Sequence, residues 1–535
     1  MKKLTVLVCA FAILGTAVFA AGGRDRSAAQ NTIFTVALNG DIVALDPAFT
    51  WDFTTNPVVN QITEGLVTFD TATLKVIPHL ASSWKMTDDT TYVYQVRNDI
   101  VFSDGMPMTM EDVIFSLERI RNPDTGSYLE WMYDKVTGIS QTGPWELTIK
   151  LREPSPTFQF VPATAAGRII SKAYFDKHAA DFGTAAGGII GTGPFAYVSW
   201  TGGQEVVLRK NTNYWNKSVP INIDTLVFKI IPEDTTRVIA LQTGQVDFTV
   251  NPPLDMIDTL SADSSLTLSS IDSFSVSFLA FNTQRAPFND VNTRKAVFHA
   301  LDLPSLQKNI IKTAGTAATV LPFGPALYGD LPRQWEQYLG RAASYPYDLA
   351  KARNYLARSA NPNGFECNLV INESSLSSSK ALFVQDALAR INIRVNIVKL
   401  SDSEHTNYQF GGVFDAGGKR DYDMLIAGWE ADYPDASGNI EPLYHSSGTG
   451  EDGGNAAAYS NPRVDELIDA QGIITDSAKR NELLFRAFDI INDDVPYIFF
   501  EYPVKQSVLN KKYTGVAINS AWLWVLPIQN VRAAR

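Results

Sequence analysis

Gly428-Trp429-Glu430-Ala431-Asp432-Tyr433-Pro434 is the stretch on which the reading of this chain turns. A Trp and an Asp stand three residues apart on a turn that ends in Pro, and a short apolar run, residues 424–427, precedes it as a buried strand. A carboxylate beside an indole at a strand end is a receptor for an ammonium group on an apolar body. The ion pair fixes the charge, and the ring face adds a cation–π contribution of roughly 0.5–2 kcal/mol. The same residues also read as a turn Asp capping local backbone amides, with Trp429 in the core. Taken alone the stretch favours that second reading; the rest of the chain favours the first.

The chain has 535 residues, 45% of them hydrophobic and 19% charged, which predicts a large folded core rather than disorder. The net charge of −12 disfavours nucleic acid and anionic membranes as partners. At the start, Lys2 and Lys3, an apolar run over 4–15 and Val18-Phe19-Ala20 form a cleavable signal peptide, 1–20, followed by a small polar linker, 21–31. The expectation is export to the periplasm. No later stretch reaches 18 apolar residues. Cys9 lies within the leader and is wrongly placed for lipid attachment, so the mature chain keeps only Cys367 and no intramolecular disulfide.

Strand-like and helix-like segments alternate through the remainder, which predicts α/β lobes. Residues 32–38 and 92–96 alternate as strands. A helix is predicted over 109–121, with Thr109 as N-cap and Asp112 completing a capping box. Further helices are predicted over 292–301, from Asn461-Pro462 onward, and over 476–491. Catalytic signatures are missing: there is no Gly-x-Ser-x-Gly elbow and no His-Glu-x-x-His. The glycine-rich run ending at Lys419 lacks phosphate-loop spacing. His79, His178, His299, His405 and His445 show no metal-ligand spacing, so neither metal nor cofactor is expected.

A set of landmarks runs along the chain in a fixed order. Leu45-Asp46-Pro47 and Glu64-Gly65-Leu66 come first, then Pro78-His79-Leu80-Ala81 with Trp84, and Phe102-Ser103-Asp104-Gly105. Gly191-Thr192-Gly193-Pro194-Phe195 follows, with Asn211 and Tyr214-Trp215 behind it. Next are Leu241-Gln242-Thr243-Gly244-Gln245-Val246-Asp247, Pro287-Phe288-Asn289-Asp290 with Arg294-Lys295-Ala296, and finally the 429–434 stretch. In these residues, over about 33–505, the chain resembles the family 5 extracellular solute-binding proteins of ABC importers, the group of dipeptide- and oligopeptide-binding proteins.

The resemblance implies an α/β, two-lobed periplasmic-binding-protein (Venus-flytrap) fold with an extra domain inserted in the first lobe. Lobe I would comprise 31–70, 190–275 and 500–535, the extra domain 71–189, and lobe II 276–499. It implies a monomeric receptor, not an enzyme, that encloses a short extended peptide between its lobes by hinge closure. The permease subunits of an ABC transporter, with their ATPases, would be its partners. By residue match the peptide's amino terminus meets Asp432, with Trp429 beside it. Further ligand-binding candidates by position are Trp51 and Phe53, with Asp52 between them, then Tyr128, Trp131 and Phe278. Some oligopeptide receptors carry an Arg where this chain has Ile426; Arg420, or Lys419, is the candidate substitute for meeting a ligand carboxylate. Relatives of the same fold bind oligosaccharides, nickel chelates, glutathione or opines, and those cargoes stay open. A secreted hydrolase on this scaffold is the reading from a different class.

Overall fold

The computed structural model describes residues 32–534. The expected signal peptide and linker lie outside the described residues.

One large sheet organises the molecule. In spatial order its strands are Phe195–Thr201, Glu205–Lys210, Thr225–Ile230, Ile33–Leu38, Phe248–Val250, Tyr497–Asn510, Ser275–Phe281, Met424–Glu430, Phe365–Asn372 and Ile393–Leu400. The strand Tyr497–Asn510, hereafter the long strand, serves both halves. Its later residues pair with Phe248–Val250 and Leu266–Asp272, and its earlier ones with Ser275–Phe281. The consecutive strands Leu266–Asp272 and Ser275–Phe281 therefore both run along it, and the chain passes from one half to the other at Ser273-Phe274. The ladder slips where Ser277 faces Glu501 and Phe278 faces Phe499. Pro503, which has no N–H to offer a ladder, follows directly, and its carbonyl accepts from the Ser273 hydroxyl. The sheet is thus interrupted where its two halves meet.

Each half has its own buried core. Phe34, Val36, Leu208 and Phe228 lie in one. Phe278, Leu425, Ile440 and Phe488 lie in another, and Leu279, Val384, Leu388 and Val395 in a third behind it. A separate antiparallel sheet, in the order Ala81–Asp88, Thr91–Val96, Glu146–Leu151, Val136–Gly143, packs with the helix Met110–Arg121 around Tyr92, Tyr94, Val113 and Leu117.

Local signals in the sequence hold where they are self-contained. Thr109 and Asp112 form the expected capping box at the head of Met110–Arg121. Asn461 caps Pro462–Gln471 and Asp476 caps Ser477–Asp494. Some boundaries move: the strand expected to stop at residue 427 runs through Trp429 and Glu430, because these pair with Val276 and Ser275, and the helix expected over 476–491 runs on to Asp494.

A buried carboxylate ties the small sheet to the large one. Glu64 accepts from His79 Nε2 at 2.8 Å, Thr192 Oγ1 at 2.8 Å, Tyr214 OH at 3.0 Å and Trp215 Nε1 at 2.8 Å. Burial by itself would raise its pKa, but His79 and these donors hold it below the ordinary value.

Candidate functional site

Between the two halves, along the long strand, lies a crevice of about 700 Å³. Asn39, Phe53 and Arg237 line it from one side, Lys380 and Trp429 from the other, and Lys505 from the floor. The strand Met424–Glu430 forms its wall from Ile426 to Glu430. The strand's apolar first half is buried, whereas Gly428 is exposed, so the chain's main-chain atoms reach the opening there.

Every cation in this wall and floor is matched by an acid. Lys505 Nζ lies 2.8 Å from Glu430 Oε2, which also accepts from Ser275 Oγ at 2.8 Å. Phe53 stacks on Trp522 with ring centroids 5.7 Å apart, and Lys505 stands 4.7 Å from the Phe53 ring. Deeper in, Lys380 pairs with Glu501 and donates to Ser277 Oγ at 2.8 Å. Burial pulls the Lys380 amine below its ordinary value, and Glu501 opposes that shift.

Asp432 lies two residues past the end of the strand. It is half-buried, and among the described residues its carboxylate has no hydrogen bond or ion pair. Burial, and then the charge of Glu430, push the carboxyl up to about 7. Its neighbour Asp435 behaves oppositely. Although largely shielded from water, it is held at about 2 by the two-pronged Arg480 guanidinium, with both N–H···O distances 2.8 Å. Of the two aspartates on this turn, one is locked to a partner and the other is left without one.

The other expected ligand residues scatter. Trp429 lines the crevice and is oriented by its Nε1–H donating to Gly438 O at 2.8 Å. Phe53 lines it while remaining 43% exposed. Trp51 is 59% exposed, Tyr128 55% and Trp131 49%, and none of the three lines the crevice. Asp52 caps the turn below, accepting from the amides of Thr54 and Thr55. Phe278 is sealed in the core, edge-on to Tyr497 at 5.0 Å, because its register on the long strand turns it away from the opening. Arg420 is also buried, and its guanidinium donates to the carbonyls of Gln409, Gly450 and Gly453, which leaves no face for a ligand carboxylate. Lys419 donates to Gln284 O. Ile426 lines the crevice as an apolar wall.

Sequence reasoning missed Lys505, Glu430, Lys380, Glu501, His405 and Gln409. Glu430 stood within the opening stretch, and its acidic neighbour two residues on was the one available signal. The partners lie far along the chain; Lys380 and Glu501 are 121 residues apart. Among the described residues no group of three or more His, Cys, Asp or Glu side chains is placed to hold a metal ion. No described helix is long and apolar enough to cross a membrane.

Comparison with known proteins sets this geometry in context. Residues 75–451 match the bacterial extracellular solute-binding proteins, family 5 middle region. The glutathione-binding protein GsiB of Escherichia coli O6:K15:H31 (strain 536 / UPEC) is 27% identical over 503 residues, covering 94% of this chain and 93% of GsiB. The ABC transporter-associated periplasmic binding protein DppA from Helicobacter pylori, in complex with the peptide STSA, superposes with a TM-score of 0.77 at 23% identity, over 94% of this chain and 98% of that one. NikZ from Campylobacter jejuni, in complex with Ni(L-His), gives a TM-score of 0.75 at 21% identity, over 93% and 99% of the two chains. At these identities the two structures establish the shared fold.

Proposed function

Because the chain belongs to the family 5 extracellular solute-binding proteins of ABC importers, we propose that it captures short peptides between its two lobes and presents them to a permease. It is a binding protein, not an enzyme. The observation that carries the peptide reading is the carboxylate of Asp432. A half-buried acid without a partner, beside the Trp429 strand and raised to about 7, is an unfavourable arrangement for the empty protein. A ligand ammonium makes it favourable, since a carboxylate and an ammonium desolvated together compensate one another.

In this reading lobe I spans 31–70, 190–275 and 500–535, the extra domain 71–189, and lobe II 276–499. The hinges are the crossings at Ser273-Phe274 and at residues 501–504. The receptor acts as an exported periplasmic monomer. Asp432 receives the amino terminus, Trp429 and Phe53 flank the bound chain, and the exposed Trp51, Tyr128 and Trp131 lie outside the enclosed site. The name of the Escherichia coli relatives favours one particular cargo, glutathione, which is itself a small peptide with a free ammonium.

Thermal unfolding with peptides of two to six residues, amino ends free or acetylated, tests the reading. A ligand at a hundred times its Kd adds about 2.7 kcal/mol of stability. Stabilisation by free-amino peptides alone is the expected result. No shift with any peptide, in protein stripped of carried-over ligand, overturns it in favour of oligosaccharide or metal-chelate cargo.

A further inference from the structure

The strand Met424–Glu430 is paired along its whole length on one side, with Ser275–Phe281. On the other side Phe365–Asn372 pairs only with Met424 and Leu425. From Ile426 onward this second edge lies open toward the crevice. In an antiparallel ladder the main-chain groups of alternate residues point to alternate edges. The bond from Ala431 N–H to Phe274 O sets the phase: Ala427 and Trp429 turn toward Ser275–Phe281, and Ile426, Gly428 and Glu430 turn toward the open edge.

Two carbonyls on that edge are already occupied, and by side chains. His405 Nε2 donates to Ile426 O at 2.9 Å. Gln409 Nε2 donates to Gly428 O at 2.8 Å. Both side chains are buried, and both line the crevice. A carbonyl cannot donate, so Nε2 of His405 carries the proton; burial keeps its pKa below the ordinary value, and the cap is a neutral imidazole. The segment that carries them is fixed from below. Ser401 and Glu404 form a capping box at its start, and the buried Arg420 guanidinium donates to Gln409 O at 2.7 Å. Among the described residues no side chain donates to the Glu430 carbonyl on the same edge.

These caps matter to an extended ligand. A strand added to this edge meets a pairing station at every second residue, about 6.6–6.8 Å apart. With its ammonium at Asp432, a ligand finds the Glu430 station open. At Gly428 the amide nitrogen of Gln409 sits where the ligand's N–H would donate, and at Ile426 the imidazole of His405 does the same. A ligand amide arriving there loses water and gains no acceptor, which is the costly way to bury a polar group. We propose that Gln409 and His405 are length-determining residues, closing the strand edge at Gly428 and Ile426 so that the site accepts peptides of about two or three residues. This rests on the peptide reading above and adds to it the size of the cargo.

The test is calorimetric titration of free-amino alanine peptides of two to six residues into the parent, Gln409→Ala and the Gln409→Ala/His405→Ala pair, with melting curves to verify folding. The parent should lose at least tenfold in affinity between the tripeptide and the tetrapeptide. Gln409→Ala should move that break about two residues up the ladder, and the pair further still. Gln409→Ser replaces the alanine variant if that does not melt cooperatively. A parent that binds tetra- to hexapeptides as tightly as dipeptides overturns the proposal while leaving the peptide reading intact, as does a length profile unchanged in Gln409→Ala. A parent that binds no peptide of any length overturns the peptide reading and this proposal with it.

Discussion

The indole Nε1–H of Trp524 donates to the main-chain oxygen of Asp432 at 2.6 Å, across 92 residues of sequence. Trp524 packs in the core of the small antiparallel sheet, whereas Asp432 follows the end of the strand Met424–Glu430 and is not among the residues lining the crevice. One residue on, Tyr433 stacks on Phe160 with ring centroids 5.8 Å apart and planes 8° from parallel. The turn is therefore held by its backbone and its aromatic ring against residues of the small-sheet core. Among the described residues the Asp432 carboxylate has no hydrogen-bond or ion-pair partner.

Asp432→Ala should cost about 3–5 kcal/mol of affinity for a free-amino peptide, the cost of leaving one partner of a buried pair alone. Calorimetry with the free and the acetylated form of the same peptide checks this. The loss should be confined to the free form.

Binding should also depend on pH. The ligand-binding species is the carboxylate, and the carboxyl of the empty protein sits at about 7. Affinity should peak around pH 7–8. Below that it falls by up to tenfold per pH unit, because a proton must leave Asp432 for the ammonium to bind, and above about 8 it falls again as the peptide's own α-amino group loses its proton. The stability of the empty protein should run the other way. A carboxyl raised from its ordinary 3.8 is a penalty above pH 7 that disappears as pH falls toward 4. Titrations and melts from pH 4 to 8 should show both trends, and Asp432→Asn should flatten both.

Phe160→Ala should loosen the hold on the turn that carries Asp432 and Tyr433. An aromatic pair contributes about 0.5–1.5 kcal/mol beyond its buried area, so ligand affinity should drop roughly two- to tenfold. Small-angle scattering of the empty variant should give a larger radius of gyration than the parent, and saturating ligand should bring the two together.

Lys380 and Glu501 form the most buried ion pair of the crevice. Glu501→Ala should destabilise the fold by about 3–5 kcal/mol, by stranding a buried cation, whereas Lys380→Met with Glu501→Met should recover most of that loss. Denaturant unfolding of the two variants checks it.

Glu64→Gln should weaken the tie between the small and large sheets by about 3 kcal/mol, because the four donors around it lose a charged acceptor. The contribution of a carboxyl held below its ordinary 4.5 is present above pH 4.5 and lost below it. Melting temperatures of parent and variant should therefore converge in acid.

Sequence alone revealed whatever depends on near neighbours in the chain. The Thr109–Asp112 box, the helix starts at Asn461-Pro462 and at residue 476, and the apolar start of the wall strand are each complete within a few residues. The order of landmarks carried the family. The wall strand outran its expected end because Trp429 and Glu430 are held by Val276 and Ser275, which no local pattern discloses. Phe278 looks like a site aromatic until its register on the long strand is known. Arg420 looks like a ligand cation until the loop carbonyls it serves are brought around it. The same blindness hid Gln409, whose role exists only because the neighbouring strand pairing ends at Leu425.

The long strand carries a further consequence, for how the protein comes into being. Ile33–Leu38 pairs with Phe248–Val250, and that strand's other neighbour is the segment 507–509. The opposite lobe's Ser275–Phe281 needs the same strand at residues 497–501. Each half of the sheet thus lacks its bordering strand, and the two halves are not joined, before residues 497–510 arrive. Folding so dominated by distant pairings is slow. A chain emerging from its amino end stays unlocked until nearly all of it is available, and once locked the two lobes should unfold together in one transition.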